Sequence, residues 1–127
     1  MAQGTFATTI NCMDGRTQLP VIVFLKEELG VDYVDSVTEP GPIKYLADNT
    51  DTDVVEQIKK RVLISVEKHG SRSVGIVGHD DCAGNPVDKD TQFGQIEKAV
   101  ALVKSWVPDA DVFGIYVEGE NWTAARV

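Results

Sequence analysis

The sequence predicts an α/β fold: a single domain with a mainly parallel central β-sheet flanked by helices. Three observations lead there. Short β-branched runs alternate with segments whose apolar residues recur every three or four positions. The 127 residues suffice for one hydrophobic core with little to spare. The two clusters of chemically active side chains, around Cys12 and around His79, each follow a strand-like run directly. Open parallel sheets bind their ligands at just such places, beyond the carboxyl ends of strands.

Each element has its own signal. Residues 5–11 (Thr-Phe-Ala-Thr-Thr-Ile-Asn) are β-branched and read as the first strand. Pro20 suits the first position of a helix whose stripe is Val21, Phe24, Leu25 and Leu29, ended by Gly30. Residues 31–37 read as a second strand, closed by the turn Glu39-Pro40-Gly41-Pro42 and followed by a short helix over 43–47. Asp53 is the expected cap of the next helix, with Glu56 completing a capping box. Val54, Ile58, Val62 and Val66 form its stripe and Gly70 its stop, and Lys59-Lys60-Arg61 falls on a solvated face. Residues 74–78 (Val-Gly-Ile-Val-Gly) are a buried strand running into His79. A polar loop over 83–90 leads to a last helix with the seam Phe93, Ile96, Val100, Val103 and Val107, and residues 112–117 form the last strand.

Composition excludes several classes of function. A net charge of -8 with scattered Lys and Arg argues against nucleic-acid or anionic-membrane binding. The longest apolar run, Val21 to Leu25, is far short of the ~20 residues that span a bilayer. The opening residues lack a basic segment followed by an apolar one, so no signal peptide is expected and the expected location is cytoplasmic. Thiols stay reduced there.

Two cysteines in such a chain are more often plain core thiols than ligands. Here their company changes the reading. Cys12-Met13-Asp14-Gly15-Arg16 follows the first strand, and His79-Asp80-Asp81-Cys82 follows the third. Two thiolates and an imidazole suit zinc, and three protein ligands leave a fourth position open, as at catalytic zinc. Sheet order decides whether they meet: if the first and third strands are neighbours, Cys12, His79 and Cys82 converge. Asp14 is close enough to reach the fourth position, and Arg16 can hold it bidentately and keep it off the metal. Other residues carry blander expectations. His69 reads as a helix cap, Asp80 and Asp81 as bracing the His79–Cys82 turn, and Gln18 as a helix-start residue or a reach into the pocket. The stretch 118–122 reads as exposed, with Trp122 available to a partner.

Cys12-x-Asp14-x-Arg16 followed by His79-x-x-Cys82 resembles the signature of the β-class carbonic anhydrases, and Val-Gly-Ile-Val-Gly before His79 is similar to that family's strand into its histidine. The chain differs from the family's usual pattern at Thr38-Glu39-Pro40-Gly41 and in having Ala83 before Gly84. The resemblance covers residues 5–117 and implies a β-carbonic-anhydrase-like fold. It further implies Zn2+ as cofactor on Cys12, His79 and Cys82, with Asp14 and Arg16 as the catalytic dyad. The implied activity is reversible hydration of CO2 to bicarbonate by a zinc-activated hydroxide. Small relatives that hydrolyse COS or CS2 make that chemistry the alternative, and a non-catalytic zinc protein closed by Asp14 is another. The family's habit implies a homodimer or higher homo-oligomer.

Overall fold

The computed structural model describes residues 3–127. In chain order the elements are β1 (Phe6–Cys12), α1 (Gly15–Leu29), β2 (Tyr33–Glu39), α2 (Pro42–Asp48), α3 (Thr52–Lys68), β3 (Ser73–His79), α4 (Lys89–Trp106), β4 (Asp111–Glu118) and β5 (Thr123–Arg126). The five strands form one sheet in the order β2-β1-β3-β4-β5. The first four run parallel and β5 returns antiparallel on β4. The fold is therefore the expected α/β arrangement, with β1 and β3 as neighbours.

Chain direction dictates how the sheet is covered. From β1 the chain steps one way to β2, then crosses back over β1 to β3 and onward to β4. Crossovers of one hand must then put the first helix on one face and the later ones on the other. Accordingly Val21 and Leu25 of α1 pack on Val77, Phe113, Ile115 and Val117. On the opposite face Ile43, Ile58, Val62, Ile96 and Val103 from α2, α3 and α4 cover Ile10, Val74 and Ile76. The point where chain order reverses lies between β1 and β3, and both sequence motifs lie at its carboxyl end.

The two central strands part at that end. Ladder pairing of β1 with β3 runs from Thr8↔Val74 to Ile10↔Ile76, whereas β3 stays paired with β4 as far as His79↔Val117. A cleft thus opens between Cys12 and His79. The backbone N–H and C=O of His79 face it, because the neighbouring Asp80 N–H is the one that reaches across to the Val117 carbonyl (3.1 Å). Buried Gln92 of α4 replaces the missing strand. Its Oε1 accepts from the His79 N–H at 3.0 Å and its Nε2 donates to the His79 carbonyl at 2.7 Å.

Several local expectations are corrected. α1 starts five residues before Pro20, because Asp14 caps it by accepting from the Arg16 N–H at 2.9 Å. The cap outweighs the proline, which costs one hydrogen bond just past the first turn. β2 is displaced two residues toward its carboxyl end relative to the expected 31–37, paired in register with β1. Asp51, not Asp53, caps α3, and Val55 and Ser65 are buried where Val54 and Val66 only flank the core. The α4 seam is Gln92, Ile96, Ala99 and Val103, which leaves Phe93 36% exposed and Val100 at the margin. Residues 112–117 lie in β4, which is not the last strand: β5 follows after a tight turn. A four-residue edge strand with one half-buried side chain has no periodicity to detect. His69 does end α3, but its Nδ1 lies 2.6 Å from Asp35 Oδ2 and its ring stacks on Phe6, so it ties the helix to β1 and β2.

Candidate metal centre

Cys12 is the last residue of β1, His79 the last of β3, and Cys82 lies in the loop that follows. All three are buried, and one ligand atom from each lies within 4.8 Å of the others. The two sulfurs stand 3.9 Å apart, and both cysteines are free. That is almost twice a disulfide bond length. Two thiolates ~2.3 Å from one tetrahedral zinc would be separated by ~3.8 Å.

The histidine is prepared as a ligand. Its Nδ1 lies 2.6 Å from the Asp80 carbonyl oxygen. A carbonyl only accepts, so Nδ1 carries the proton and Nε2 keeps its lone pair. Nε2 is buried with no hydrogen-bond partner, and His79 belongs to the three-residue cluster. An unpartnered buried nitrogen beside two cysteine sulfurs fits the donor set of a cation site. Asp80 is itself fixed by Tyr116 Oη (2.6 Å) and the Gly119 N–H (2.7 Å) donating to its carboxylate.

Electrostatics favour a thiolate at Cys12. The adjoining Cys82 thiol is the largest influence, and with His79 and the Gly41 and Asp14 amides it outweighs burial and lowers the Cys12 thiol below its ordinary value. Cys82 is pushed the other way by the thiolate it faces and by burial. Burial opposes charging of His79 most strongly, but the neighbouring Cys12 sulfur and the Asp80 carbonyl outweigh it and raise its pKa. Donor type, sulfur spacing and the orphaned nitrogen together fit a zinc ion.

The loop that carries Cys82 meets the turn after β2 backbone to backbone. A Cβ on Gly41 would lie 2.8 Å from the Gly84 carbonyl carbon, and one on Gly84 would lie 2.7 Å from that of Pro40. Gly41 also adopts a left-handed φ of +58°. The residues 40–41 and 83–84, where the chain differs from the usual β-class pattern, therefore sit against each other beside the sulfurs.

Asp14 does not join the ligand cluster. Arg16 Nε donates to its Oδ1 at 3.0 Å and Nη2 to its Oδ2 at 2.7 Å, a bidentate pair. The Arg16 side chain is foremost in holding the Asp14 carboxyl down to about 2, with the Arg16 amide adding to it. Arg16 also reaches the Asp81 carboxylate and carbonyl, each at 3.2 Å, and lies over the Trp122 ring at 4.3 Å. Trp122 packs on its own chain, with the α1-side core, and its ring centroid is 6.4 Å from that of His79. Gln18 turns to the backbone, donating to the Cys12 carbonyl at 2.6 Å. Sequence reasoning missed Gln92 and the role of Trp122. Gln92 had a signal, as the one polar residue in line with Ile96, Ala99 and Val103.

The family model described as "Putative carbonic anhydrase" matches residues 2–127. Among solved structures, β-carbonic anhydrase isoform I of Trichomonas vaginalis superposes with a TM-score of 0.61 at 16% identity, over 95% of this chain and 80% of that one. A carbonic anhydrase of Streptococcus mutans gives 0.53 at 15% identity, over 94% and 80%. One of two tetrameric β-carbonic anhydrases of Sordaria macrospora gives 0.56 at 12% identity, over 99% and 82%. None of the curated proteins matches the chain by sequence.

Proposed function

The chain belongs to this carbonic anhydrase family, and from that premise we propose that it catalyses the reversible hydration of CO2 to bicarbonate with a zinc ion held by Cys12, His79 and Cys82. The observation that carries the proposal is the convergence of those three ligand atoms within 4.8 Å while Asp14 is tied to Arg16. A zinc ion held by these three residues would supply a Lewis acid able to acidify a water toward neutrality.

The chain's own residues do the rest. Nδ1 of His79, fixed on the Asp80 carbonyl, aims Nε2 at the two sulfurs. Gln92 holds the His79 backbone where β1 has turned away. Asp14, ionised because Arg16 donates to both of its oxygens, can accept a hydrogen bond from the attacking water and orient it toward CO2. Arg16 keeps that carboxylate from filling the fourth ligand position, so the site stands open.

We further propose that the protein works in the cytoplasm as a homodimer or larger homo-oligomer. The superposed Sordaria macrospora enzyme is tetrameric, and Met13, Leu19 and Val23 present exposed apolar side chains around α1. The functional reading is tested by metal analysis joined to two assays. One zinc per chain with CO2 hydration and no hydrolysis of COS or CS2 is the expected result. Zinc with hydrolysis alone would move the chain to the alternative chemistry. Zinc with neither activity would make it a binding protein.

A further inference from the structure

Arg16 presents a difficulty for any role as keeper of Asp14. Its side chain is 44% exposed, and an exposed ion pair between flexible partners is weak and readily exchanged with water. The chain surrounds it with more than Asp14. The Asp81 carboxylate and carbonyl accept from its two terminal nitrogens, and the Trp122 ring lies under its guanidinium at 4.3 Å.

Backbone conformation sets these two neighbours apart. Among the described residues, the non-glycine positions with left-handed φ are Asn49 (50°), Asp81 (55°) and Trp122 (49°). Asn49 ends α2, an ordinary place for an asparagine in that conformation. The other two both touch Arg16. Aspartate tolerates the left-handed region, but a tryptophan there is an outlier, and a tight turn into β5 would accept glycine at lower cost. What the tryptophan adds is its ring, packed against the α1-side core, stacked on Arg16 and near His79. A strained residue whose ring makes such contacts points to them, the Arg16 stack among them, as what the strain is held for.

We propose that Trp122, with Asp81, latches Arg16 in the position from which it holds Asp14 away from the metal ligands. Trp122 is then a positioning residue that acts through Arg16 and Asp14; the inference rests on the zinc reading above. Removing the ring frees Arg16 to swing into solvent, and Asp14 then competes with any small molecule for the fourth ligand position.

Two readouts test it. The first is the Arg16 Nε–H resonance of the purified full chain, which the latch predicts to be ring-shifted in the native protein and in Trp122→Phe, and unshifted in Trp122→Gly. Glycine suits the φ of 49° at this position, so that variant removes the ring while relieving the backbone. The second is azide affinity, read from the visible spectrum of the cobalt(II)-loaded protein. Trp122→Gly should weaken azide binding roughly five- to tenfold, the loss of one well-placed cation–π contact. Trp122→Phe should keep most of the affinity, and Trp122→Gly should have no effect in an Asp14→Ala background. Unchanged azide affinity in Trp122→Gly, or equal weakening with and without Asp14, overturns the latch. Absence of a sulfur-to-cobalt band in the native protein defeats the metal reading instead. The Arg16 resonance then decides the latch, and an unshifted native signal overturns it.

Discussion

Among single residues, the proposed ligands depend on partners that are not themselves ligands. Gln92 is the clearest of them. Gln92→Leu strips the buried His79 N–H and C=O of their partners. Each unsatisfied group costs roughly 1–3 kcal/mol. The melting temperature should therefore fall, and because His79 is no longer held, zinc affinity should fall by roughly 10–100-fold. Thermal melts and competition with a zinc chelator check both. Cys82→Ser should lose most of the metal outright, because a hydroxyl replaces one of two thiolates in a three-residue set. Full zinc occupancy in Cys82→Ser would remove that cysteine from the ligand set. The five motif residues were legible in the sequence because their types and spacings are chemically specific. Gln92 and Trp122 were not, since each acts through a contact that only the folded chain creates.

At the scale of elements, the Gly41–Gly84 contact separates conformational strain from site geometry. Gly30 and Gly41 both have left-handed φ, 65° and 58°. A Cβ on Gly30 meets nothing within 4 Å, whereas one on Gly41 runs into Gly84 and Asn85 at 2.8 Å. Gly30→Ala should therefore cost only roughly 1–2 kcal/mol of backbone strain and leave zinc affinity unchanged. Gly41→Ala should cost more and weaken zinc binding, because it pushes apart the loops flanking Cys12 and Cys82. Denaturant melts with parallel zinc titrations compare the two.

The Thr5 N–H and Oγ1 donate to Asp32 Oδ2, tying the start of β1 to the turn before β2, and they hold the Asp32 carboxyl below its ordinary value. With its folded pKa below its unfolded one, Asp32 stabilises the fold above the unfolded pKa. That contribution is lost as pH falls through the folded value. Asp32→Asn should thus be less stable than the native chain at neutral pH and lose less on acidification below ~4. Melts across that range give the comparison, and parallel curves would exclude Asp32 from the acid response. Of the elements themselves, α1 to α4 and β1 to β4 were legible from β-branched runs, 3/4 spacing and stop signals. Their ends were less so, because caps compete: Asp14 extends α1 past a proline that suits a first turn, and Asp51 precedes the expected Asp53. The return strand β5 is too short to carry a pattern.

At the scale of the molecule, alternation of strands and helices was enough to place both motifs at one end of a parallel sheet. It was not enough to order the strands. The β2-β1-β3-β4-β5 order makes the motif-bearing strands neighbours, and their divergence past Ile10 and Ile76 makes room for the site. The proposed homo-oligomer, with exposed apolar side chains around α1, predicts a sedimentation mass of at least two chains at micromolar concentration and neutral pH. A single-chain mass would contradict the proposed oligomer. The central claim, an open zinc site kept open by Arg16, is tested most directly by stopped-flow CO2 hydration of native protein and Arg16→Ala at equal, measured zinc content. The expected outcome is a hydrating native enzyme with one zinc per chain, and a variant that keeps its zinc while losing orders of magnitude in rate as Asp14 takes the fourth position. Native-like hydration by zinc-loaded Arg16→Ala, or none by the zinc-loaded native protein, would contradict it.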